Sequence, residues 1–367
     1  MPLIATVAAL CAFGSVYVYS AVSGMSAGPG MFRRHLVGIG IGLVAMAVAW
    51  AIDYRAFKNW TGGLIVLDAL LILAPRIPGL GDTAKGATSW LQVAGIRLFQ
   101  PSEPAKLITI LVLAALIARH RGRLDRPVDV AKILGILAIP LGLILLQPDL
   151  GTGMVFVMIA MGMLLVGGMK GRYFAVLGVA GVVLVAGLLW LNGVLDARSG
   201  SDVLIKDYQL NRLLVFVDPE VDPQGAGYNL EQSKIAIGSG QLWGKGLGKG
   251  TQSGLNFLPE RHTDFIFSVL GEERGFVGTM GLMLLYLVLL LIALEISASS
   301  KDLFGALIVA GVISMWLFQV LENAGMTLGL MPITGIPLPF ISYGASFMVT
   351  NLAATGMLLS VWSRRYR

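Results

Sequence analysis

Asp264 stands where a polar loop meets an apolar segment, in the run NFLPERHTDFIFSVLGEERGF over 256–276. A carboxylate in that setting can take a proton from a substrate hydroxyl, so it is a candidate general base. Thr263 reads as the N-cap of a helix whose first turn holds Asp264 and whose apolar part covers 264–270. That part is too short to cross a bilayer and is expected to dip into the membrane face before Gly275 opens the next span. The helix N-terminus and Arg261 favour charge on Asp264, while burial beside Phe265 and Phe267 opposes it. The residues leave capping and chemistry both open. Upstream, GYNLEQSKIAIGSGQLWGKGLGKGTQ over 227–252 carries Lys245 and Lys249 among glycines. It fails the spacing of a nucleotide phosphate loop, which needs four residues between the first Gly and Gly-Lys: Gly238 leaves five before Gly244-Lys245 and Gly240 leaves three, and Gly follows each Lys. A plain connector and a ligand-approaching loop both fit.

Other polar residues stand inside apolar runs. Gln319, Glu322 and Asn323 lie near the end of one run and Asp68 within another. Such groups turn to a bundle interior or a wet cavity; Asp68, alone, reads as a helix-packing or local hydrogen-bonding residue. MPITGIPLPFISYGAS over 331–346 holds Pro332, Pro337 and Pro339, which make it stiff and non-helical, as a connector or as the rigid wall of a cavity. Metal chemistry has little to work with. Cys11 is the one cysteine, and His35, His120 and His262 are far apart, so no dedicated metal site is expected.

The elements that must position these groups follow from composition. The chain has 367 residues, 56% apolar and 13% charged, against about 45–50% and about 25% in soluble domains. That excludes a soluble enzyme, a disordered chain and a nucleic-acid binder, despite a net charge of +6. An all-α polytopic membrane protein is expected, one integral membrane domain over 1–367. Its ten apolar runs are at 2–23, 35–51, 60–75, 105–119, 132–147, 152–168, 174–195, 275–296, 303–325 and 342–363. The first has no basic n-region and reads as a retained span.

Lys and Arg in short loops set the orientation. Arg119, Arg121, Arg123, Arg126 and Lys132 mark a cytoplasmic connection. Ten spans then put Arg55, Lys58, Lys170, Arg172, Lys301, Arg364, Arg365 and Arg367 on the same side, with both termini cytoplasmic; Arg33 and Arg34 depart from the pattern. Two long connections, 76–104 and 196–274, face outward, and the second holds 11 of the 21 acidic residues. Within it, 203–217 spaces Leu210, Leu213, Leu214 and Val217 as an amphipathic helix, interfacial or simply packed.

QPSEPAK (100–106), QPDLGTG (147–153), the run from GYNLEQSKIAIGSG through LPERHTDFIF (227–267), and GIPLPFISYGAS (335–346) resemble the signatures of the SEDS family, the membrane peptidoglycan polymerases of bacterial elongation, division and sporulation. The 227–250 stretch and Thr334, where the division branch tends to have Lys, most resemble the elongation branch. Ala345 departs from the family's second Gly. The resemblance implies a glycosyltransferase of the bacterial cytoplasmic (inner) membrane acting on lipid II, the undecaprenyl-pyrophosphate-linked disaccharide pentapeptide. It places Asp264 at the family's essential acid and Trp90, Glu103 and Lys106 at its matching outer positions. Glu260, His262 and Ser342 lie within the same motifs and join the substrate-binding set.

Under that resemblance an acceptor hydroxyl displaces lipid pyrophosphate with inversion, which needs one base and charge stabilisation of the leaving group. Asp264 is the expected base, and Lys106, Arg212, Lys245, Lys249 and Arg261 are the expected pyrophosphate cations. No cofactor is expected; a divalent ion would come with the pyrophosphate. The implied partners are a class B penicillin-binding protein, a single-span transpeptidase, and other elongation-machinery membrane proteins. A lipid II flippase and a non-catalytic scaffold are the alternatives.

Overall fold

The computed structural model describes residues 2–77, 79–84, 87–93, 96–199, 207–255 and 257–366. In chain order they form α1 (Pro2–Val22), α2 (Gly28–Ala51), α3 (Thr61–Leu73), β1 (Gly81–Ala84), β2 (Ala87–Val93), β3 (Ile96–Phe99), α4 (Ser102–Ala118), α5 (Pro127–Leu145), α6 (Leu150–Val166) and α7 (Gly171–Ser199). Then come α8 (Asp207–Val217), α9 (Ala226–Gly240), α10 (Thr251–Gly254), α11 (Ile266–Ala298), α12 (Leu303–Leu328) and α13 (Ala345–Ser363). Each apolar run of the sequence falls on one of the longer helices. Seven of them, α1, α2, α5, α7, α11, α12 and α13, are long and apolar enough to cross a membrane. The chain is a polytopic, mainly helical membrane protein.

Burial grades the helices. In α12, 67% of the best membrane-crossing window is buried, and the helix packs against α4, α6, α11 and α13. Trp316 on it is fully enclosed and meets Phe340 edge to face, the rings 5.4 Å apart. In α7 none of that window is buried.

The basic connections gather at one end of the bundle. Tyr54 donates to Asp302 at 2.9 Å, Arg55 pairs with Asp302 at 3.4 Å, and Arg364 donates to the Ala51 carbonyl at 2.8 Å. Lys170 pairs with Asp125 at 2.9 Å, which holds the Asp125 carboxyl below its usual range. Arg33 and Arg34 prove to lie inside α2, which starts seven residues earlier than the apolar run because Gly28-Pro29 initiates it.

At the opposite end, the first long connection carries a three-stranded antiparallel sheet in the order β1-β2-β3, with Asp82 opposite Trp90. The second holds α8 to α10. The predicted amphipathic helix appears as α8; residues 203–206 of the prediction lie outside the described residues.

The segment expected to dip into the membrane and the following span form one bent helix. α11 runs from Ile266 to Ala298 and breaks at Gly275 (φ 64°, ψ −159°), a conformation open to glycine but not to side-chain-bearing residues. The break frees backbone groups that must find partners elsewhere. The Gly-rich loop supplies them. Phe276 N–H donates to the Gln241 carbonyl at 2.8 Å and Val277 N–H to Leu242 at 3.1 Å. Lys245 N–H donates to the Glu272 carbonyl and Gly246 N–H to Glu273, both at 3.0 Å. The glycine-rich stretch is thus a splint laid along the bend, with backbone contacts to its own chain.

Candidate active site

Asp264 lies just before α11, not in its first turn. Phe265 is the N-cap, and Thr263 donates its hydroxyl to Glu260 instead of capping the helix. The reason is local: Glu260 adopts φ 49°, and its carbonyl then gathers the N–H groups of Thr263 and Asp264 at 3.1 Å and of Phe265 at 3.3 Å. A non-glycine residue in that region stores about 1–3 kcal/mol of strain. The turn leaves Asp264 half-buried at the end of the bundle away from the basic connections.

Three elements close around it. From α12, the Asn323 amide donates to the carbonyls of Asp264 and Ile336, both at 2.8 Å. From the proline-rich loop, Ser342 donates to the Thr263 carbonyl at 2.7 Å and accepts from Leu338 N–H at 2.8 Å, while Tyr343 N–H donates to His262 at 2.9 Å. That loop is therefore the rigid wall. From α8, Arg212 Nη1 donates to the Thr334 carbonyl at 3.2 Å. Gly335, at φ +76°, is the pivot: a Cβ there would lie 3.2 Å from Asp264 Oδ2 and 3.7 Å from Arg212 Nη1. Acid and cation thus approach one point above a residue with no side chain.

The other sequence-derived candidates divide. Glu103 and Lys106 form a buried ion pair at 2.8 Å, with Lys106 over the Phe347 ring at 5.4 Å. Gln100 N–H donates to Ser346 at 3.1 Å, so the start of α4 is tied to the end of the loop that holds Ser342. His262 stacks obliquely on Tyr343, ring centres 5.4 Å apart. Trp90 is half-buried on the sheet. Lys245 turns to the splint, giving Nζ to Glu272 at 2.8 Å and Thr251 at 2.7 Å. Lys249 is exposed on that loop. Arg261 is buried, and its Nε donates to the Ala21 carbonyl at 2.7 Å; burial lowers its affinity for a proton. Arg212 is the expected cation that the fold brings beside Asp264.

Two groups of functional weight were not singled out as site residues. Asn323 read only as one polar residue in a span, because its partner Asp264 is 59 positions away. Glu272 and Glu273 are absent from the expected set, although two adjacent acids between two apolar segments are a visible signal. Among the described residues no group of three His, Cys, Asp or Glu is placed to hold a metal ion.

With this geometry in hand, comparison with known proteins is specific. The profile of the FtsW, RodA and SpoVE family, described as a cell cycle protein, matches residues 1–367. The peptidoglycan glycosyltransferase MrdB of Escherichia coli (strain K12) is 39% identical over 361 residues, covering 97% of this chain and 91% of that one. The peptidoglycan glycosyltransferase RodA of Treponema pallidum is 35% identical, covering 99% and 97%. Among solved structures, a chain from a study of the structural coordination of polymerization and crosslinking by a peptidoglycan synthase complex aligns with a TM-score of 0.80. It is 32% identical and covers 100% of this chain and 98% of that chain. The rod shape determining protein RodA of Thermus thermophilus aligns with a TM-score of 0.72 at 29% identity, covering 100% and 97%.

Proposed function

The chain belongs to the FtsW, RodA and SpoVE family, the SEDS family, and is a peptidoglycan glycosyltransferase of the elongation type; from that premise we propose how its outer site works. The substrate is lipid II, and Asp264 is the general base. The acceptor sugar hydroxyl attacks the anomeric carbon of the lipid-linked donor. Its proton passes to the Asp264 carboxylate, the bond from that carbon to the pyrophosphate oxygen breaks, and undecaprenyl pyrophosphate leaves. One displacement inverts the α-linked donor into a β-linked polymer, so a single acid is sufficient. The leaving group is already anionic and needs a cation more than a proton. Arg212 supplies that charge beside the base.

The observation that carries this reading is the convergence of Asp264 Oδ2 and Arg212 Nη1 on one point over Gly335, with Asp264 half-buried. A half-buried acid keeps access to substrate while its neighbours exclude part of the water that would weaken the field. Lys106, with Glu103, lies along the same wall and is a second contact to the substrate. Trp90, Lys249, Glu260 and His262 complete the substrate surface, Ser342 holds its backbone, and Lys245 and Arg261 act by fixing the loops that carry it.

Ten helices cross the membrane in this reading, with the basic end and both termini in the cytoplasm and the site on the outer face of the bacterial inner membrane. The partner is a class B penicillin-binding protein, supported by the likeness to a chain of a peptidoglycan synthase complex.

Asp264→Asn tests the base. General-base work contributes about 10²–10⁴-fold, so purified variant with labelled lipid II in detergent should yield almost no glycan chains while remaining folded in the membrane fraction. Near-normal polymer from that variant sinks the assignment. Translocation of lipid II across vesicles, with no polymer from the parent protein, would mark a flippase.

A further inference from the structure

Glu322 and Asn323 are neighbours on the outer part of α12, and both are fully enclosed. Each holds one side of the site. The Asn323 amide bridges the carbonyls of Asp264 and Ile336. Glu322 Oε1 accepts a hydrogen bond from the Thr334 hydroxyl, and the Thr334 carbonyl is the group that receives Arg212. One helical turn therefore sets the backbone under the acid and the backbone under the cation.

The remaining atoms of this turn are expensive. Glu322 Oε2, Asn323 Oδ1 and both amide atoms of Gln319 meet no hydrogen-bonding protein group among the described residues. An unmatched buried polar atom lowers stability, and more so when it is charged. A turn kept only for packing is better served by apolar side chains of similar volume. Polar side chains that are fully enclosed and bonded to the backbone beneath the acid and the cation point to a role in setting geometry.

We propose that Glu322 and Asn323 are positioning residues for glycosyl transfer, Asn323 fixing Asp264 and Glu322, through Thr334, fixing Arg212. This rests on Asp264 being the base. A misplacement of about 1 Å at a reacting group costs on the order of 10²-fold in rate, and the two contacts act on different groups. Asn323→Asp removes the bridging donor and sets a carboxylate against two carbonyls. Glu322→Met removes an orphaned carboxylate oxygen while filling its volume, and Glu322→Gln keeps an oxygen that can accept from Thr334.

The test uses full-length protein in detergent with labelled lipid II, reading kcat, KM and Tm together. Asn323→Asp should lower kcat on the order of 10²-fold with KM little changed, and should shift the pH profile of kcat. Glu322→Met should weaken substrate saturation, raising KM, with a Tm no lower than the parent's; Glu322→Gln should recover most of that loss. A parent-like pH profile in Asn323→Asp, or a Tm for Glu322→Met that falls in step with its activity, would overturn the proposal in favour of a packing role. Asp264→Asn separates the two readings. An inactive Asp264→Asn beside fully active Asn323→Asp and Glu322→Met overturns only the positioning roles, whereas an active Asp264→Asn removes the base on which they rest.

Discussion

Glu272 and Glu322 are both completely buried acids at the outer end of long helices, and they are treated in opposite ways. Glu272 is saturated. Its two oxygens accept from the N–H groups of Thr251, Gln252 and Ser253 at 2.7–3.1 Å, from the hydroxyls of Thr251 and Ser253, and from Lys245. Glu322 has the Thr334 hydroxyl on one oxygen and leaves the other unmatched. A saturated buried charge fixes structure, because removing it orphans every donor around it. A half-satisfied carboxyl holds less around it. The bend of α11 is built around the first kind, and the positioning role proposed above falls to the second.

The comparison breaks first at Glu272. Glu272→Leu leaves the N–H groups of Thr251, Gln252 and Ser253 unmatched and takes the ion pair from Lys245, and should cost about 3–5 kcal/mol, seen as a large drop in Tm with fast hydrogen exchange over 241–254. An unchanged Tm would mean that the splint does not depend on its acid. Gly335→Ala comes next. A left-handed backbone costs a non-glycine residue about 1–2 kcal/mol, and the added methyl lies 3.2 Å from Asp264 Oδ2. Polymerisation should therefore fall much further than stability, measured as glycan yield against Tm. Lys245→Met sharpens the contrast more gently. The lysine is 26% exposed, so screening limits its loss to about 1 kcal/mol, with KM for lipid II nearly unchanged if its role is the splint. Lys249→Ala is the smallest. Stability should stay within about 0.5 kcal/mol, and a raised KM would assign the exposed lysine to pyrophosphate.

Much of this architecture was legible in the sequence, and the failures have a common cause. Apolar runs report helices because each is a local, continuous property, and the short basic loops report which connections share an end. Asp264 was legible as an acid at a polar–apolar boundary. Its surroundings were not. Thr263 looked like a cap, and what displaced it was the left-handed Glu260, a conformation no local residue preference announces. The Gly-rich stretch fitted a connector and a ligand-approaching loop equally, because the broken ladder at Gly275 that it meets lies some thirty residues on. Gln319, Glu322 and Asn323 were visible as polar residues in a span, but only the fold shows that the latter two reach Asp264 and Thr334. The strands of the first outer connection were missed because β1 and β3 each have four residues, too few to establish an alternating pattern.

The bend at Gly275 also bears on the order in which the protein is made. A helix interrupted within an apolar segment exposes amides and carbonyls that hydrocarbon cannot satisfy, at several kcal/mol each. Their partners, residues 241–246, precede them in the chain and so leave the ribosome first. In the orientation proposed above, the loop reaches the outer side before the broken segment of α11, so the helix can complete its hydrogen bonding as it inserts. Were the two segments exchanged in sequence, the same final contacts would have to form after the bend had been left unsupported in the bilayer.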